Sequence, residues 1–169
     1  MRAARVWSRI ASVLALAVLG TAASALAAPS ETYANARFGY SIRYPTDLLV
    51  PEREADNGDG RAFHARHGTA KVSVWGNYLY SGEEGAPQAI ARLGETDCKG
   101  GKVAYEVTKP RLVAFSCITP AGRVLYQKTL IHRDVLSTVR IEYPAADRKT
   151  WEPLVAQISG SLTTGRGLD

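Results

Sequence analysis

Between residues 38 and 44 apolar and polar positions alternate strictly, with Phe38, Tyr40, Ile42 and Tyr44 separated by Gly39, Ser41 and Arg43. A period of two puts the first set on one side of an extended chain, so this stretch predicts a half-buried strand closed by Pro45. The runs 62–67 and 71–78 predict a hairpin around His67-Gly68-Thr69, where the glycine supplies the conformational freedom of a tight reversal. In the second run Val72 and Val74 share one face, and Trp75 and Asn77 the other. Asp56-Asn57-Gly58-Asp59-Gly60 is a turn cluster between strands. Ala86 to Leu93 predicts a short helix, with Pro87 tolerated in its first turn and Gly94 near its end.

The second half is more regular. Val103 to Val107, Leu112 to Thr119, Val124 to His132 and Val135 to Tyr143 read as strands, parted by Lys109-Pro110, Pro120-Ala121-Gly122 and Arg133-Asp134. Short reversals between consecutive strands predict an antiparallel meander. After Pro144 the period changes to 3.6, with Trp151, Leu154, Val155, Ile158 and Leu162 on one stripe, Thr150 as N-cap and Pro153 inside the first turn. That stripe needs a covering surface, so the helix is expected on the sheet. Strands in succession, few helices and no alternation of strand and helix predict an α+β domain with an antiparallel sheet of about six to seven strands.

Residues 1–27 have a different character. Arg2, Arg5 and Arg9 precede an apolar run from Ile10 to Leu19, and Ala25-Leu26-Ala27 offers a small-residue cleavage site, the pattern of a secretory signal. The apolar run is shorter than the roughly 20 residues that a membrane span needs. The first cysteine is Cys98, so no lipid-anchoring cysteine lies near the cleavage site. The expectation is a single domain over 28–164, free in the periplasm or secreted, with a loose tail at 165–169 and no transmembrane segment after cleavage. Nothing in the pattern asks for an oligomer, and a monomer is expected.

Composition changes one point. The 169-residue chain carries 21 basic and 16 acidic side chains, and its pI near 9.4 would favour nucleic acid as a partner. Three of those basic residues lie in the signal, which leaves 18 against 16. A nearly neutral domain offers no broad field for phosphates, so no nucleic acid is expected. The two cysteines, Cys98 and Cys117, stand in an oxidising compartment under this reading and are expected to be bridged, tying a Gly-rich loop to a strand.

Several phrases carry a family likeness: residues 33–45 (Tyr33-Ala34-Asn35-Ala36-Arg37-Phe38-Gly39-Tyr40-Ser41-Ile42-Arg43-Tyr44-Pro45), Asn57-Gly58-Asp59-Gly60, residues 122–128 (Gly122-Arg123-Val124-Leu125-Tyr126-Gln127-Lys128) and Ile141-Glu142-Tyr143-Pro144 before a terminal helix. Together they resemble an exported bacterial member of the PsbP-like group, a fold shared by an extrinsic protein of the photosynthetic oxygen-evolving complex and by the Ran-binding Mog proteins. The resemblance implies an α/β/α sandwich around an antiparallel sheet and a binding or assembly role. The middle helix at 86–93 is short for one covering layer of such a sandwich.

Candidate chemistry is sparse. His64 and His67 are three apart, which on a strand points them to opposite faces, and no zinc-binding spacing supports them. Surface histidines are the simpler reading. Asp56 to Gly60 has closely spaced oxygen donors, yet the twelfth position of a calcium loop counted from Asp56 is His67 rather than Glu. A turn is the simpler reading there too. Ser41, Ser73, Ser116 and Ser137 alternate with apolar residues and are expected on solvent faces, outside any nucleophile elbow. No catalytic residues, metal or cofactor are expected. The aromatic set Trp75, Tyr78 and Tyr80, with Asn77, is the candidate recognition surface, and Trp75 is core instead if helices cover both sheet faces. The leading reading is a non-catalytic exported binding or assembly domain whose partner is a protein or envelope component. The alternatives are a small envelope hydrolase using His64 or His67 and a small-ligand carrier with a cleft beside the sheet.

Overall fold

The computed structural model describes residues 28–79 and 85–165. In chain order these form β1 (Ser30–Asn35), β2 (Tyr40–Pro45), β3 (Leu49–Pro51), β4 (Gly60–Ala65), β5 (Lys71–Tyr78), α1 (Ala86–Asp97), β6 (Lys102–Lys109), β7 (Leu112–Ile118), β8 (Arg123–His132), β9 (Val135–Pro144) and α2 (Arg148–Gly160). A 3-10 turn at Ala145–Asp147 leads into α2, so that helix begins earlier than an N-cap at Thr150 would place it. Seven strands make one antiparallel sheet in the order β3-β4-β5-β9-β8-β7-β6. The second half is the expected meander. At the sheet's centre β5 pairs with β9 from Lys71↔Glu142 to Tyr78↔Val135.

The strand with the strongest alternation is outside that sheet. β2 pairs with β1 in a separate hairpin, Tyr33 opposite Ile42, and the hairpin lies on the sheet's inner face. Its Tyr33, Tyr40, Ile42 and Tyr44 pack with Phe63, Val72, Val74, Val139 and Ile141. Phe38, in the hairpin turn, sits directly over Gly76, where an added Cβ would lie 2.3 Å from the ring. α2 completes this layer, with Trp151 stacked on Tyr143 at 5.9 Å between centroids and Ile158 fully buried. Each such buried large side chain stabilises by roughly 1.5–3 kcal/mol.

α1 covers part of the outer face. Ala86 and Ile90 pack on Val113 and Ile131. The helix does not stop at Gly94 as its sequence predicts. It continues to Asp97 because Gly94 is a packing point: a Cβ there would meet the Phe115 ring at 2.7 Å. Beyond its end Cys98 is bonded to Cys117 with Cα atoms 5.9 Å apart, buried beside Phe115 and Leu125. One helix on each face of the sheet gives an α+β fold with α/β/α layering. No helix among the described residues is long and apolar enough to cross a membrane. The signal at 1–27, Tyr80 and residues 166–169 of the tail lie outside the described residues.

Candidate functional site

Among the described residues, the outer face of β4 and β5 is left open by α1, which packs on Val113 and Ile131. Alternation along β5 directs Ser73, Trp75 and Asn77 to that face, opposite Val72 and Val74, and the register sets Ser73 across from Arg140 and Trp75 across from Thr138. Trp75 is half-buried and Asn77 exposed. The Arg140 guanidinium lies 5.8 Å from the Trp75 ring centroid. It is held by a 2.8 Å hydrogen bond from its Nε to Gln127 Oε1 and by an ion pair with Asp97 at the end of α1. Beneath it Thr129 and Thr138 are buried and share a 3.0 Å hydrogen bond. Beside Trp75 runs an open groove of about 270 Å³, with Arg53 and Asp59 among its lining residues. An amphipathic ring next to a cation held by two partners is a surface ordered in advance, suited to recognition.

The predicted aromatic set is therefore divided. Trp75 and Asn77 share the open outer face, whereas Tyr78 is on the inner face, its ring 4.9 Å from that of Phe38 and 39% exposed.

His64 stands on the outer side of β4, with Nδ1 3.7 Å from Glu52 Oε1 in an exposed pair, and His67 lies in the β4–β5 turn. Among the described residues no group of three or more His, Cys, Asp or Glu side chains is arranged to hold a metal ion. Ser137 is a correction to the sequence reading: it is fully buried on the inner face, its hydroxyl 3.1 Å from that of Thr164. The close approach of the C-terminal segment, which also brings Thr163 to Ser41, encloses a position that alternation alone leaves open.

The segment before β4 is held by a residue that the sequence pattern does not single out. Asn35 Nδ2 donates to Gly58 O at 3.0 Å and reaches Glu54 Oε1 and Tyr33 Oη, while its Oδ1 accepts from the Phe38 N–H at 2.9 Å. Tyr33 Oη donates to Glu54 Oε1 at 2.7 Å, and the Arg61 guanidinium covers the Tyr33 ring at 4.8 Å. Asp59 accepts from Asn57 Nδ2 at 2.7 Å, so its carboxylate closes the turn.

A second concavity of about 240 Å³ lies on the inner face between β6 and α2, where Tyr105, Tyr126 and Tyr143 meet Val155. Burial pushes the Tyr126 and Tyr143 hydroxyls up from their ordinary value. Lys128, two residues along β8 from Tyr126, donates from Nζ to Ser159 O at 2.8 Å, and burial pulls its ammonium down.

No family model matches the chain, and no curated protein matches it. Among solved structures it is similar to the solution structure of cyanobacterial PsbP (CyanoP) from Synechocystis sp. PCC 6803, at 14% identity and a TM-score of 0.56. The match covers 87% of this chain and 99% of that one. A likeness at this identity speaks for the architecture, and the fold of this chain is PsbP-like, as the phrases at 33–45 and 122–128 imply.

Proposed function

We propose that the protein is a non-catalytic binding or assembly domain spanning 28–164, exported by the signal at 1–27 and acting in the periplasm or outside the cell on a protein or envelope component. The observation that carries this reading is the open half of the outer sheet face, where Trp75 stands beside an arginine already fixed by Gln127 and Asp97. Aromatic and arginine side chains ordered before contact lose little entropy on binding, which is why they dominate recognition energies. The PsbP-like fold supports an accessory role, and the Cys98–Cys117 bridge is compatible with an oxidising compartment.

The test is crosslinking in the native host followed by affinity capture of the tagged protein from the envelope fraction. A protein partner is expected that is recovered reproducibly with the natural chain and lost with Trp75→Ala, while circular dichroism shows both proteins folded. The captured protein is expected to begin at Ala28. Capture that ignores Trp75→Ala overturns the assignment of the surface. Loss of function in His64→Ala with His67→Ala, folding intact, overturns the binding reading in favour of a hydrolase.

A further inference from the structure

The two edges of the sheet are unlike. β3 is three residues long and ends at Pro51, whereas β6 runs for eight residues and, among the described residues, pairs only with β7. Its outward N–H and C=O groups are a template for another strand. The apolar side chains of this edge are exposed: Val103 by 53% and Tyr105 by 48%. A register shift between Val103 and Tyr105 brings both Ala104 and Tyr105 to the cleft of about 240 Å³ that Tyr126, Tyr143 and Val155 also line. An added strand would hold alternate side chains over the inner face, and one of them would enter this cleft.

Charge selects the kind of strand. From Lys99 to Arg111 the chain carries Lys99, Lys102, Lys109 and Arg111 against Glu106 alone. A second copy fits poorly, because antiparallel pairing of two β6 strands about their midpoint sets Lys102 against Lys109. We propose that the free edge of β6 and the tyrosine cleft behind it form a docking site for an acidic, extended segment of another protein, added as an eighth strand with an aromatic or large aliphatic side chain in the cleft. This site lies on the opposite side of the sheet from Trp75, and its test is independent of that surface.

Three synthetic heptapeptides of the pattern Xaa-Thr-Phe-Thr-Val-Thr-Xaa serve as probes, in which Xaa is Glu, Gln or Lys. Alternation puts the phenylalanine and both Xaa side chains on one face of the added strand, the face on which β6 carries Lys102, Tyr105 and Lys109. They are titrated into the isotope-labelled full chain and followed by amide chemical shifts. The Glu peptide is expected to bind about tenfold more tightly than the Lys peptide, with shifts confined to β6, β7 and the cleft, and to weaken with added salt. Tyr105→Ala, and separately Lys102→Glu with Lys109→Glu, each lower its affinity by about fivefold or more while leaving the unperturbed spectrum folded. No binding of the Glu peptide, equal binding of all three, or shifts centred on Trp75 overturns the proposal. So does self-association in sedimentation that Tyr105→Ala abolishes, which would make the edge an interface between copies of this chain.

Discussion

Asn35 is buried because four groups converge on its amide: the Gly58 carbonyl, the Glu54 carboxylate, the Tyr33 hydroxyl and the Phe38 N–H. It joins the hairpin turn to the 54–60 segment, two stretches with no strand pairing between them. Asn35→Ala leaves the Phe38 N–H and the Gly58 carbonyl without this partner, and a loss of about 1–3 kcal/mol is expected. Urea denaturation measures it, and a loss below about 1 kcal/mol would show that water replaces the amide. At this scale the sequence was legible only in part. Alternation put Val72 and Val74 opposite Trp75 and Asn77, as found, but how far each face is covered depends on where α1 lands, which no local period reports. Ser137 shows the same limit, since the residues that enclose it come from the far end of the chain.

Elements with a strong period were the readable ones. The meander from β6 to β9 follows from apolar runs parted by short turn signals, and α2 from its stripe of period 3.6. β1 has little such signal, because Ser30–Asn35 presents Tyr33 and a buried Asn35 inward rather than a row of aliphatic residues. β3 is three residues long with a proline at its end. Membership of a sheet is less legible still: β2 has the clearest alternation in the chain and pairs away from the main sheet. α1 depends on a covalent tie that two cysteines in a chain read as exported did anticipate. Closing a loop of 19 residues stabilises by about 3 kcal/mol in the chain-entropy model. Cys98→Ser with Cys117→Ser is expected to lower the melting temperature by about 10 °C. Hydrogen exchange locates the effect: α1 and β7 lose protection first, while β5 and β9, held by the hairpin and α2, keep theirs. Uniform loss across the sheet would show that the bridge stabilises the whole domain rather than its outer layer.

The whole molecule has a core with an unusual share of phenols, and this sets its response to base. Burial raises the pKa of Tyr33, Tyr40, Tyr44, Tyr126 and Tyr143 above the ordinary value of 10.0. In Tyr44 the hydrogen bond to Glu31, 2.9 Å long, adds to the effect, and in Tyr143 the charge of Glu152 does. A folded pKa above the unfolded one means that the native state keeps protons which the unfolded chain releases. The stability from these five groups is therefore complete below pH 10 and falls as pH rises past it. Lys128 acts in the opposite sense, since its lowered pKa relieves a burial penalty as pH approaches 10.5, and one lysine does not offset five phenols. The expected result is a cooperative alkaline transition in which phenolate absorbance from the buried tyrosines appears together with loss of the sheet's circular dichroism. Tyr40→Phe separates ionisation from packing. It removes one titrating group and the 2.9 Å hydrogen bond to Asp59 O, so the protein becomes less stable at neutral pH while its stability declines less steeply above pH 10. An unchanged alkaline slope in that variant would mean that Tyr40 does not contribute to the transition, and that the core opens in base through the remaining four.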